Sequence, residues 1–112
     1  MKLRIDPEKI SFRLDFDELE YLLNEGQIKA RTPLPEDCLN YKIIVLPDGS
    51  EADFQAASNS YILSLPRDVI EEHKTTLPSL KGIVTDFPCE KGELIVSLEV
   101  NLKKKLKHSL ER

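Results

Sequence analysis

The sequence predicts an α+β fold: a mostly antiparallel β barrel or two packed sheets of about eight strands, with two short helices and pseudo-duplicated ββαββ halves. The first observation is a repeat. Ile10, Phe12, Leu14, Asp17 and Leu19 recur as Tyr61, Leu63, Leu65, Asp68 and Ile70, each shifted by 51 residues (61−10, 63−12, 65−14, 68−17, 70−19). The second is the period of two in the apolar runs, which marks half-buried strands. The third is strand number. Eight short strands in one flat sheet would leave an apolar face bare and edges open, and closure or sheet-on-sheet packing removes that difficulty. In this reading the helices plug the ends.

The elements follow in order. Leu3 and Ile5 point one way, Asp6-Pro7-Glu8 turns, and Ile10, Phe12 and Leu14 alternate with Ser11 and Arg13. Asp15 then suits an N-cap and Glu18 stands three residues on, the capping-box spacing. Phe16, Leu19, Leu22 and Leu23 share a helical face, and Gly26 stands where a left-handed residue closes a helix. Gln27 to Thr32 reads as a strand with Ile28 and Ala30 inward and Lys29 and Arg31 outward. Two prolines in Pro33-Leu34-Pro35 stop it, because they remove ladder donors. Tyr41 to Leu46 is the next strand, closed by the turn Pro47-Asp48-Gly49-Ser50.

The second half repeats the order. Ala52 to Ala57 is a weak strand around Phe54, Ser58-Asn59 turns, and Tyr61 to Leu65 alternates cleanly. Pro66 suits the first turn of a helix, where its missing N–H is no loss. Val69, Ile70 and His73 share a face, and Leu77-Pro78 ends the helix. Gly82 to Phe87 is a strand, Glu90-Lys91-Gly92 a turn, and Leu94 to Leu102 the strongest strand of all. Ile43 and Val45 map onto Leu94 and Val96 at the shift of 51, whereas Ile28 maps onto Ile83 at 55. That difference predicts a longer helix–strand connection and a shorter following loop in the second half. The expected organisation is one domain over 1–102, with pseudo-repeats 1–49 and 50–102, and a basic tail over 103–112.

Composition narrows the function classes. A chain of 112 residues with 40% hydrophobic and 32% charged residues can bury one real core unaided. The longest apolar run, Ile43-Ile44-Val45-Leu46, is far too short to span a membrane, and the N-terminus has no signal-peptide pattern. A cytoplasmic location is expected. The net charge of −4 makes nucleic acid an unfavourable partner, since phosphate contacts need a basic face. The positive charge that exists gathers at the C-terminus in Lys103, Lys104, Lys105, Lys107 and Arg112. Leu102, Leu106 and Leu110 fall at helical spacing there, so the tail either forms a small basic amphipathic helix or frays in solvent.

No constellation for chemistry stands out. Cys38 and Cys89, also 51 apart, are too few for a disulfide framework, and with only His73 and His108 they do not make a zinc set. Glu90 beside Cys89 disfavours a thiolate. His73 reads as a partly buried helix residue with one hydrogen bond. Asp17 and Asp68 sit in first turns, where the helix dipole favours negative charge. The four glycines are isolated, so no phosphate-binding loop is present. No cofactor and no metal are implied.

Two resemblances add to this. Tyr61 through Leu65-Pro66-Arg67-Asp68 to Glu72 resembles the strand–Leu-Pro–helix unit of swapped-hairpin transition-state regulators, which are small DNA-binding dimers with a basic face. The chain departs from them after His73, where their glycine-rich continuation is missing, and in its acidic body. Over nearly the whole length, Met1-Lys2-Leu3-Arg4-Ile5, Ile10-Ser11-Phe12-Arg13-Leu14, Glu18-Leu19 through Gly26-Gln27-Ile28, and Asp86-Phe87-Pro88-Cys89 resemble a family of small uncharacterised bacterial proteins. That likeness carries over no catalytic residue and puts Cys89 first for examination. The leading functional expectation is a non-catalytic binding module, as a homodimer or adaptor for a protein or small ligand, using the 94–102 strand, Cys89 and the tail lysines. The alternatives are a small enzyme with a thiol or carboxylate site and a nucleic-acid binder working through the tail.

Overall fold

The computed structural model describes residues 1–79 and 81–102. Its elements run β1 (Lys2–Asp6), β2 (Lys9–Asp15), α1 (Phe16–Glu25), β3 (Gln27–Pro33), β4 (Cys38–Leu46), β5 (Asp53–Ala57), β6 (Ser60–Pro66), α2 (Arg67–Thr75), β7 (Ile83–Cys89) and β8 (Gly92–Asn101). They form two four-stranded sheets with strand orders β1-β2-β8-β7 and β3-β4-β6-β5. This is the α+β, eight-strand, two-helix architecture that the pattern predicts, realised as packed sheets and not as a closed barrel.

The local signals act where they were expected. Asp15 caps α1 by accepting from the Glu18 N–H at 2.8 Å, while the Glu18 carboxylate accepts from the Asp15 N–H at 3.0 Å. Gly26 closes the helix in the left-handed region (φ 83°), its N–H donating to Leu22 O. Pro66 stands one position earlier than its sequence role: it is the last residue of β6, paired with Leu46, and the N-cap of α2. The Arg67 guanidinium then donates to Leu23 O at 3.0 Å, so α2 begins by satisfying a carbonyl in the last turn of α1.

The halves interlock instead of each forming its own sheet. Every sheet takes one hairpin from each half, and the strands that join them, β2 with β8 and β4 with β6, run parallel. Renaming β1–β4 as β5–β8 converts one strand order into the other, so the pseudo-symmetry is real. Its arithmetic differs from the reading above. Phe12 pairs with Leu98 and Leu63 with Ile43; the shift is 51 for β2 to β6 (63−12) but 55 for β4 to β8 (98−43). Ile28 pairs with Ile43 and Ile83 with Leu98, so β3 and β7 share the shift of 55 (83−28). The extra four residues all fall between α2 and β7, and the hairpin that follows is not shortened. At this shift Pro33, opposite Cys38, corresponds to Pro88, opposite Glu93. The 51-residue spacing of Cys38 and Cys89 is therefore coincidence.

The parallel centres explain the burial pattern. A strand flanked on both sides and covered on both faces is buried nearly continuously, and Ile10, Ser11 and Phe12 in β2 are all buried, as are Val96, Ser97 and Leu98 in β8. The core joins both sheets: Phe12, Leu14, Ile43, Leu63, Leu65 and Leu98 are essentially inaccessible, and Leu19, Leu22 and Ile70 bring in the helices. Phe54 of β5 meets Phe12 edge-on at 6.2 Å between centroids and lies 6.1 Å from Phe87, which fastens one sheet to the other. Each helix touches both sheets. Ile5, near the end of the edge strand β1, stays 57% exposed although it shares a side of that strand with Leu3.

The outer face of the first sheet hides a polar clamp. Ser97 Oγ reaches Ser11 Oγ at 3.2 Å and Glu99 Oε2 at 3.0 Å, while Arg13 Nε donates to Glu99 Oε1 at 3.1 Å and Lys9 Nζ stands 3.7 Å from Oε2. Arg13 and Glu99 are opposed in the β2–β8 register, so the pair spans the parallel seam. Burial alone pushes the Glu99 carboxyl up, but the Ser97 hydrogen bond and the charges of Arg13 and Lys9 outweigh it and hold the group below its ordinary range. Gly82, just before β7, lies so close to β8 that an added Cβ would collide with the Leu98 carbonyl oxygen and stand 2.9 Å from Glu99 Cγ.

Two outcomes are expected. Gly82→Ala must displace β7 from β8 and should cost about 1–3 kcal/mol in urea denaturation; an unchanged midpoint would contradict this close approach. Glu99 has a folded-state pKa below its unfolded value, so its contribution is complete above the unfolded pKa of about 4.3 and disappears as pH falls through the folded one. Glu99→Gln should lose about 1 kcal/mol at pH 7, and its deficit against the parent should shrink on titration into that acid range. A deficit that stays constant down to pH 2 would rule the clamp out.

Candidate functional site

The residues singled out from sequence do not gather. Cys38 opens β4 in one sheet and Cys89 closes β7 in the other, both as free thiols. Cys89 is exposed at a hairpin end, its Sγ 3.6 Å from Phe87 O, and Cys38 Sγ lies 3.7 Å from Asn40 Nδ2. His73 is half-buried on α2, and its Nε2 is sealed from solvent without the hydrogen bond expected of it among the described residues; burial pushes its pKa down. None of the three lines either of the two surface depressions discussed below. Among the described residues no group of three His, Cys, Asp or Glu side chains is placed to hold a metal ion. Asp68, one of the symmetric acids, accepts from the Gly49 N–H at 3.3 Å in the preceding turn. Lys103, Lys104, Lys105 and Lys107 lie outside the described residues.

The 94–102 strand is also not available as an edge. β8 lies between β2 and β7, with both flanks hydrogen-bonded. The continuous burial of Val96, Ser97 and Leu98 goes with that central place, and the edges of the two sheets are β1, β7, β3 and β5 instead.

One of these edges borders a distinctive surface. On the outer face of the second sheet, Lys29, Arg31, Asn40, Lys42, Ser60 and Ile62 border a depression of about 550 Å³. Register creates it. Lys29 stands directly opposite Lys42, and Arg31 opposite Asn40; Lys42 is followed across the sheet by Ile62. The hydrogen-bond phase tightens the arrangement. Val45 N–H donates to Gly26 O, and Asn40 N–H donates to the β6 side, to Asn59 O in the turn just before that strand. Residue pairs two apart share one phase in an antiparallel ladder, so Ile28–Ile43 and Ala30–Tyr41 exchange bonds while Lys29–Lys42 is a non-bonded pair. In such pairs the Cα atoms approach to about 4.5 Å.

Two like charges directly opposed at that spacing destabilise a sheet. None of Lys29, Arg31 and Lys42 forms an ion pair among the described residues. Asp53 is the one carboxylate carried by the strands of this face, and it is on β5, two strands beyond Lys42. Contrast the first sheet, where Glu99 answers both Arg13 and Lys9. A second depression of about 590 Å³ adjoins the first, sharing Lys29, and is bordered by Asp15, Asp17, Glu18, Tyr21 and Gln27. Sequence alternation had already turned Lys29 and Arg31 outward. Lys42 was missed because only the cross-strand register brings it opposite Lys29.

Among the described residues no helix is long and apolar enough to cross a membrane. A comparison with curated proteins returns no match. The sequence model of one family of unknown function, DUF7009, matches residues 1–107, and the chain belongs to that family.

Proposed function

We propose that the protein is a non-catalytic binding module that takes an acidic protein segment on the outer face of its second sheet. The supporting observation is the Lys29–Lys42 opposition beside Arg31, three cations without an ion pair among the described residues, with the apolar Ile62 flanking Lys42 on the next strand. Positions where a local rule is broken without internal compensation are where function is expected. An acidic partner supplies the missing charge, and the half-buried Ile62 supplies apolar area beside Lys42.

Nucleic acid is the second reading, favoured by the cations here and in the tail. Three cations in a chain of net charge −4 are few for tracking a phosphate backbone, which argues for protein.

Lys42→Glu separates stability from binding. It converts a repulsive cross-strand pair into an attractive one, so the variant should gain a few tenths to about 1 kcal/mol in urea denaturation. At the same time it should weaken, at least about tenfold, the anisotropy-detected binding of a labelled Asp/Glu-rich dodecapeptide. Undiminished peptide binding by the variant, or tighter binding of a single-stranded oligonucleotide than of the peptide by the parent, would overturn the proposal.

A further inference from the structure

The same register that opposes the lysines also fixes what the edge of β3 offers. Ile28, Ala30 and Thr32 direct their backbone groups to β4, as the phase set by the Val45–Gly26 bond requires. Gln27, Lys29 and Arg31 must therefore direct their N–H and C=O groups outward, since the two sides of a strand alternate. All three are exposed. The residues whose backbone is open are thus the residues whose side chains form the basic border. Pro33 has no N–H and ends the open row at one end. At the other end stands the first turn of α1, with Asp17 and Glu18.

From this geometry, and resting on the binding reading above, we infer that the acidic partner adds to β3 as a fifth strand. The added segment spans about five residues, which is what the three open positions can register. It runs antiparallel, the more stable pairing. Its carboxylates occupy alternate positions directly opposite Lys29 and Arg31, where cross-strand neighbours on one face meet. The intervening side chains turn to the opposite face.

A second copy of the chain is a poor occupant. Pairing β3 with the β3 of another molecule would set Lys29 and Arg31 against their own kind, which is how edge charges prevent self-association. The equivalent edge, β7, offers one carboxylate, Asp86, at the position matching Arg31 (86−31 is the shift of 55 that relates these strands), with uncharged Val84 matching Lys29. One carboxylate opposite Arg31 leaves Lys29 facing an uncharged residue.

Backbone methylation tests the inference. The probe is a fluorescein-labelled nonapeptide with Asp or Glu at alternating positions and Thr or Val between them. Two derivatives carry N-methyl groups, one on the acidic residues and the other on the intervening residues. In antiparallel addition the acidic residues bond to β3, so methylating them should weaken binding at least about tenfold, and methylating the others should change it little. The reverse pattern would still support strand addition, in the parallel sense. If both derivatives bind as the parent does, or both lose affinity equally, strand addition is overturned while the acidic-groove reading survives. If the unmethylated peptide fails to bind, both fall. Sedimentation of the protein alone at 100 μM should show a single monomer; concentration-dependent growth abolished by Asp86→Lys would assign the edge to a second copy and overturn the peptide.

Discussion

The parallel pairing of β4 with β6, mirrored by β2 with β8, is the constraint from which the remainder of the structure follows. Neither pair can form until distant parts of the chain meet, and each joins a hairpin of one half to a hairpin of the other. Once β4 is held by β6, its backbone phase toward β3 is settled as well, because a strand has two sides and each backbone group can serve only one. Asn40 and Lys42 direct their backbone groups to β6, so Lys29 and Arg31 across from them find no partner in β4. The open edge of β3 is a consequence of a bond made one strand away.

The two sheets handle charge in opposite ways. Over the β2–β8 seam, Arg13 and Lys9 converge on Glu99, and Ser97 completes the carboxylate's hydrogen bonding. Over the β4–β6 sheet the corresponding surface carries Lys29, Arg31 and Lys42, with Ile62 beside Lys42. The chain is acidic overall, yet β3, β4 and β6 carry no carboxylate, which leaves a repulsion that the core must outweigh. The buried apolar side chains of the core, Phe12, Ile43, Leu63 and Leu98 among them, give it that capacity, each contributing roughly 1.5–3 kcal/mol by its removal from water. Against that sum the cost of one opposed lysine pair is small.

What the sequence disclosed was local. Asp15, Glu18 and Gly26 set the ends of α1 through contacts within four residues, so spacing was enough to read them. The ββαββ order and the duplication were legible because alternation and turn residues act over short stretches. Partner choice was not. The strength of 94–102 invited its use as an edge, yet continuous apolar character belongs to a strand flanked on both sides. Cys38 and Cys89 reinforced a shift of 51 beyond α2 where the paired residues obey 55. Lys42 looked like one more outward lysine until the register set it against Lys29. The tail lysines drew attention by composition, while the groove draws it by geometry.

Amide hydrogen exchange of the free protein, resolved by NMR, tests this account most directly. Ile28, Ala30, Asn40 and Lys42 should be strongly protected, and Lys29 and Arg31 should exchange near the rate of open chain, an alternation with period two along β3. Protection of Lys29 and Arg31 with rapid exchange at Ile28 and Ala30 would mean the opposite phase, and would contradict both the outward basic border and the open edge.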